Sequence, residues 1–247
     1  MTGTSPVRPV RYWDGVPVPF ITAWSKEEIP VQELVKVHRS SGTVLGLRDE
    51  TDVERQFGVS WVRMQATRGG RPQHGRVHAL RQRQAMSRML CQLCGGPTVG
   101  TRKDERTLFL AASADGHPLL NGERTESPPV HAVCARLSVE HCQPLRRHGW
   151  TAALVRHTPV REWPGTSTTR SPSNGCPPLP GTRDGMHRIP FTDTRRIRWT
   201  LAARLVITLE GVVPVTDLDA LADEETETIR ASQRPVSGSD ADRAGHG

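Results

Sequence analysis

The spacing of apolar positions along this 247-residue chain changes several times, and each change marks an expected element. Residues 16–24, VPVPFITAW, are apolar but carry Pro17 and Pro19, which cannot donate to a ladder, so the segment suits an edge strand. Ser25 and Glu28 have capping-box spacing, yet Pro30 follows within the first turn, so any helix there is short or starts after it, on VQELVKVH with Val31, Leu34 and Val35. Residues 49–54 are acidic and turn-like, and FGVSWVRM at 57–64 alternates as a strand does. A Gly-Gly-Arg-Pro loop opens at Gly69 and leads into a helix predicted over 77–90. Within it Ala79, Met86, Met89 and Leu90 share a side at about 3.6-residue spacing, and Arg81 and Arg88 share another.

Farther along, TLFLAA at 107–112 reads as a strand, 115–118 and Asn121-Gly122 as turns, and 132–142 as a helix ending near Pro144. Residues 151–160 are a further strand candidate. Ile197, Leu201, Leu205 and Leu209 recur every four residues, with Ala202 and Val206 beside them and Gly211 at a C-cap position; this predicts a helix, with a closing strand at 212–215. The stretches between have no period. Residues 1–15 are rich in Pro, Gly and Arg, 164–185 in Thr, Ser, Pro, Gly and Arg, and 217–247 are acidic and then polar. All three are expected to be flexible or disordered. The organisation expected is therefore a core over 16–163, the excursion 164–185, a helix and strand over 186–216 packing on that core, and a tail from 217. The fold class is α+β, a small mixed sheet with a few helices. No internal repeat is present.

Composition thins the expected core, since 35% of residues are hydrophobic and 4% aromatic, alongside 20 prolines and 22 glycines. The net charge of +7 favours an anionic partner. Lysine occurs only at Lys26, Lys36 and Lys103, and such arginine usage can arise from a GC-rich coding sequence, so the total charge alone says little. Its distribution says more. Between Glu54 and Asp104 there is no acidic residue, while Arg55, Arg63, Arg68, Arg71, Arg76, Arg81, Arg83, Arg88, Arg102 and Lys103 all fall there. Arg76, Arg81, Arg83 and Arg88, on and beside the predicted helix, are the candidates for contacts to the phosphates of DNA or RNA.

That helix runs into Cys91-Gln92-Leu93-Cys94-Gly95-Gly96. Two residues between thiolates let a tight turn present both sulfurs to one ion, and the glycines permit the turn. His131-Ala132-Val133-Cys134 supplies a second half-site at the start of a helix, where the dipole favours thiolate. Cys91, Cys94, His131 and Cys134 thus predict a closed, structural Zn2+ site of treble-clef type, with knuckle, strand and ligand-bearing helix in order. Cys142 competes for the fourth place but would lie about 12 Å along the helix from Cys134. Cys176 falls in the loose excursion and reads as a bystander.

VPFITAW, GRVHALRQRQAMSRMLCQLCGG, PPVHAVCARLSVEHCQPL and RIRWTLAARLVITLEG together resemble an uncharacterised, phage-like family of actinobacterial proteins. The matching stretches span 19–211. In that family the second half-site is Cys-x-x-Cys, and here His131 stands at its first position. The resemblance implies metal binding and no established activity.

The expected function is a zinc protein that binds nucleic acid through the arginine-rich helix, as a regulator or accessory factor. One alternative is a protein-interaction module with purely structural zinc, in which the acidic tail binds a partner or shields the arginines in cis. Another is a treble-clef metal-dependent nuclease, for which His117, His141 and His148 are the nearby histidines, unaccompanied by a His-x-x-x-His or Asp-His cluster. No catalytic residue is assigned. No apolar run approaches the roughly 18 residues of a membrane span. The N-terminus lacks a secretory pattern, so a cytoplasmic protein with reduced cysteines is expected.

Overall fold

The computed structural model describes residues 6–113, 116–167, 187–190 and 192–233. In chain order these form β1 (Arg11–Trp13), β2 (Val16–Val18), β3 (Thr22–Trp24), β4 (Leu34–Arg39), β5 (Gly42–Leu47), β6 (Arg55–Gln56), β7 (Val59–Trp61) and β8 (Pro72–Val77). Then come α1 (Ala79–Ser87), β9 (Thr107–Ala112), β10 (Arg124–Thr125), α2 (Ala132–His141), α3 (Gln143–His148), β11 (Trp150–Val155) and β12 (Val160–Ser167). Last are β13 (His187–Pro190), α4 (Thr194–Ile197), β14 (Thr200–Ala202), β15 (Val206–Thr208), β16 (Val213–Val215) and α5 (Leu218–Gln233). The fold is α+β. Of the excursion expected at 164–185, residues 168–185 lie outside the described set, as does the end of the tail after 233.

Two strands organise the interior. β9 pairs antiparallel with β11 over their full length, and β16 adds on the other edge of β11. Because side chains alternate across a strand, Leu108, Leu110, Ala152 and Leu154 face one core and Phe109, Ala153 and Val155 face another. The first core also contains Cys91, Cys94, Cys134, and Leu218, Leu221 and Ala222 of α5. The second is closed by Trp61 and Ile207 from a seven-stranded mixed sheet, ordered β10-β15-β12-β14-β7-β6 with β13 beside β12, and by Leu205 and Leu209 flanking β15. Only β14–β7 is parallel in that sheet. The helices around the first core thus reach the large sheet through β9 and β11, which are buried on both faces.

Turn chemistry sets the small hairpins. β1 and β2 join through Asp14-Gly15, both at positive φ (48° and 73°), and β6 and β7 through Phe57-Gly58 (56° and 80°). Paired positive φ gives the twist that a two-residue hairpin needs. The N-terminal stretch read as mobile therefore contains an ordered hairpin.

Three further expectations change. VQELVKVH is no helix but supplies all of β4 except Arg39, because Val35 and Val37 alternate and pair with Gly46 and Val44 of β5. The helix expected over Ile197–Leu209 is divided into α4, β14 and β15. Leu205, Ile207 and Leu209 have strand spacing as well as helical spacing, and the partners β10, β12 and β7 select the strand. Residues 218–233 of the acidic tail form α5, whose Leu218, Leu221 and Ala222 pack on α2. Among the described residues no helix is long and apolar enough to cross a membrane.

Candidate metal centre

The chain reverses tightly after α1. Cys91 N–H donates to Gly96 O at 2.7 Å, Gly95 N–H returns to Cys91 O at 2.8 Å, and Leu90 bridges Pro97. Gly96 N–H points at Cys94 Sγ at 3.4 Å, a donor that stabilises a thiolate. The two glycines are required for packing as well as for the turn. A Cβ on Gly95, at φ 74°, would lie 2.6 Å from the Phe20 ring, and one on Gly96 would lie 1.9 Å from the Pro6 carbonyl oxygen. Phe20 N–H also donates to Leu93 O at 2.9 Å, so β2, β3 and the N-terminal segment are pinned to the knuckle.

The second half-site is brought in by β9. Val130 N–H donates to Leu108 O and Gln92 N–H to Pro129 O, placing His131 as the N-cap residue of α2 and Cys134 in its first turn. The structure brings all four predicted ligands together: one donor atom from each of Cys91, Cys94, His131 and Cys134 lies within 4.8 Å of the others, and all four residues are buried. Cys94 Sγ and Cys134 Sγ stand 3.3 and 4.0 Å from His131 Nδ1. Bond lengths of about 2.3 Å to sulfur and 2.0 Å to nitrogen give tetrahedron edges of about 3.5–3.8 Å, so the spacing fits a four-coordinate ion.

The histidine tautomer fits as well. His131 Nε2 lies 2.8 Å from Pro97 O, and a carbonyl only accepts, so Nε2 carries the hydrogen and the Nδ1 lone pair faces the sulfurs. Without a cation the group competes for protons. Hydrogen bonds from Cys134 and Cys91 hold the Cys94 thiol far below the usual thiol range, and hydrogen bonds with Cys91 and Cys94 push Cys134 far up. Burial lowers His131, but its hydrogen bonds to Cys91 and Cys94 outweigh that and raise it to about 11. A divalent ion removes this competition by binding deprotonated sulfurs and neutral imidazole together. Four protein donors would complete a tetrahedron around one ion.

Cys142 is not part of the cluster. It is the C-cap of α2, half-buried against the first core. Cys176 lies outside the described residues. Among the described residues no second group of three or more His, Cys, Asp or Glu side chains is gathered, and His117, His141 and His148 are exposed.

Sequence spacing did not reveal Glu225. Buried on α5, it accepts hydrogen bonds from Ala132 N–H at 2.6 Å and Val133 N–H at 3.3 Å, capping the ligand-bearing helix. Asp217 as N-cap, with Leu218, Leu221, Ala222 and Glu225 at helical spacing, was the available signal.

The four arginines singled out with the helix divide. Arg76 and Arg88 are exposed, Arg76 bonding Gln73 Oε1 at 2.9 Å. Arg81 and Arg83 are 5% and 3% exposed. Arg81 makes two bonds to Glu27, at 2.6 and 2.5 Å, and one to Thr22 O. Arg83 lies 4.5 Å over the Trp61 ring and donates to Val53 O, and burial lowers its pKa to about 10. The helix therefore does not present the continuous cationic face that spacing predicts. Several arginines of the acid-free window are answered by carboxylates outside it: Arg55 by Glu50, Arg63 by Glu54, Arg81 by Glu27, and Arg102 by Asp104 and Glu224. Comparison of the chain with protein-family models, with curated proteins and with solved structures finds no match to any of them.

Proposed function

We propose that the chain is a zinc protein in which Cys91, Cys94, His131 and Cys134 hold one structural Zn2+ in a treble-clef-like arrangement, and that it binds nucleic acid as a regulator or accessory factor. The observation that carries the metal assignment is the buried three-Cys, one-His cluster within 4.8 Å. Thiolate-rich tetrahedral sites suit zinc over harder divalent ions. When bound, the ion cross-links knuckle and helix and performs no reaction; Pro97 O orients His131, Gly96 N–H steadies Cys94, and Glu225 holds the first turn of α2.

The nucleic-acid part rests on charge. The chain carries +7, and Arg71, Arg76, Arg88 and Lys103 of the acid-free window remain exposed. Such a surface attracts phosphates with a strong salt dependence. Metal analysis of the purified chain tests the first part: wild type is expected to hold one zinc per chain, with Cys91→Ser and His131→Ala depleted. Wild-type zinc content in the Cys91 variant would refute the assignment. Filter binding to mixed DNA and RNA at low salt tests the second, and absence of retention ends it.

A further inference from the structure

The knuckle has an outer side as well as a buried one. Across it, the segment from Arg8 to Arg11, Phe20, Arg68 and the backbone turn at Leu93 and Cys94 enclose an open cleft of about 440 Å³. Its charged lining is all arginine: Arg8, Arg11 and Arg68. Among the described residues none of the three forms an ion pair, unlike Arg63, Arg81 and Arg102, which each hold a carboxylate. Arg68 lies 5.5 Å over the Phe20 ring and has one long hydrogen bond, 3.5 Å, to Phe20 O. Burial first, then repulsion from Arg81 and Arg11, lowers its pKa; the carboxylate that favours its charge, Glu27, is already bound by Arg81. Like charges crowded without counter-charge are stabilised by an anion.

Beside the cleft stands an aromatic wall. In β1, Arg11 and Trp13 are two residues apart and so share a face, and their cross-strand partners Val18 and Val16 continue it. Trp13 is 39% exposed and is braced edge-on by Trp24 at 6.0 Å and 85°. The fold thus places a fixed, exposed indole next to an arginine cleft, although the two tryptophans are separated in the chain.

The geometry points to this cleft as a binding site for single-stranded nucleic acid, with a backbone phosphate among Arg8, Arg11 and Arg68 and a neighbouring unpaired base stacked on Trp13. The inference rests on the nucleic-acid reading above and moves the contact surface from α1 to the N-terminal hairpin. Paired bases cannot offer a face to Trp13, whereas bases of a single strand can, and stacking accepts any base. The cleft also depends on the metal, because the knuckle it is built on is the turn that holds Cys91 and Cys94.

The test is fluorescence anisotropy with the full zinc-loaded chain, at low salt, using a labelled oligothymidylate of about 12 nucleotides and a duplex of equal length. Wild type is expected to bind the single strand about tenfold or more tighter than the duplex. Arg8→Glu with Arg11→Glu is expected to weaken it by about tenfold or more, and Trp13→Ala by about tenfold. Arg146→Glu with Arg147→Glu, exposed on α3 and outside both the cleft lining and the acid-free window, is expected to change it by less than about threefold. Zinc content and melting temperature establish that each variant is folded. Equal affinity for duplex and single strand overturns the inference. Loss of binding in Arg76→Glu with Arg88→Glu, and none in the hairpin variants, overturns it too, while leaving the nucleic-acid reading intact. No wild-type binding to either probe removes both, and preference for polyglutamate over the oligonucleotide assigns the cleft to acidic peptides instead.

Discussion

Helices α1 and α2 both begin at a buried histidine, and the two histidines are used in opposite ways. His78 and His131 each present Nε2 to a backbone carbonyl, Gln65 O and Pro97 O, at 2.8 Å, which fixes the same tautomer in both. At His78 the free Nδ1 turns inward and accepts the Arg81 N–H, so the ring caps its own helix. At His131 the same atom faces the Cys94 sulfur and makes no cap bond. In α2 the first two amides, those of Ala132 and Val133, donate instead to Glu225, from a helix ninety-three residues on. A histidine recruited as a ligand thus leaves its helix needing an acceptor from elsewhere. The charges differ likewise. Around His78 the positive Arg81 is neutralised by Glu27 within the protein, but around His131 three sulfurs meet a single imidazole, and a divalent ion that bound them deprotonated would supply the neutralising charge.

This contrast is sharpened most by removing the ion. Chelation of zinc, or Cys94→Ser, is expected to cost on the order of 10 kcal/mol, enough to abolish the cooperative thermal transition. An unchanged melt in excess chelator would show that the thiol cluster balances itself as the Glu27–Arg81 centre does. Next in size is Glu27→Gln, which strands Arg81 in the interior and is expected to cost about 3–5 kcal/mol in urea denaturation with zinc content unchanged. Burial raises the Glu27 carboxyl, but hydrogen bonds from Arg81 and Trp24 N–H and the nearby positive charge lower it overall. A depressed folded-state pKa means its contribution is complete above the ordinary value of 4.5 and is lost as pH falls below it. The acid limb of the wild-type stability curve should therefore be shallower in the variant. Glu225→Ala has the smallest effect, about 0.5–2 kcal/mol, the range for loss of a helix N-cap. A measurable fall in zinc affinity alongside it would show that the cap also positions His131 and Cys134.

The metal cluster was legible because its information is local. Cys91 and Cys94 fix one turn, His131 and Cys134 fix another, and only their meeting needed the fold. β9 and α2 were readable for the same reason, a clear period bounded by turn residues. The segment 197–209 was not, since an apolar run with period four and period two together is settled by distant partners, here β7, β10 and β12. The arginines of α1 were misplaced for a related reason. Sequence spacing assigns Arg81 and Arg88 to one helix side but is silent on Glu27 and on Trp61, which draw Arg81 and Arg83 into the interior. α5 was obscured by composition, its acidic residues hiding a short apolar stripe.

The distance in sequence between Glu225 and the helix it caps also orders events during synthesis. The last of the four ligands leaves the ribosome at Cys134, well ahead of Glu225, so metal capture can come first and fix the knuckle, β9 and the start of α2 while α5 does not yet exist. Only when the C-terminal helix emerges do the two open amides of α2 gain their acceptor. A nascent chain truncated before α5 would then already hold its ion, with the ligand helix frayed at the end that the finished protein closes.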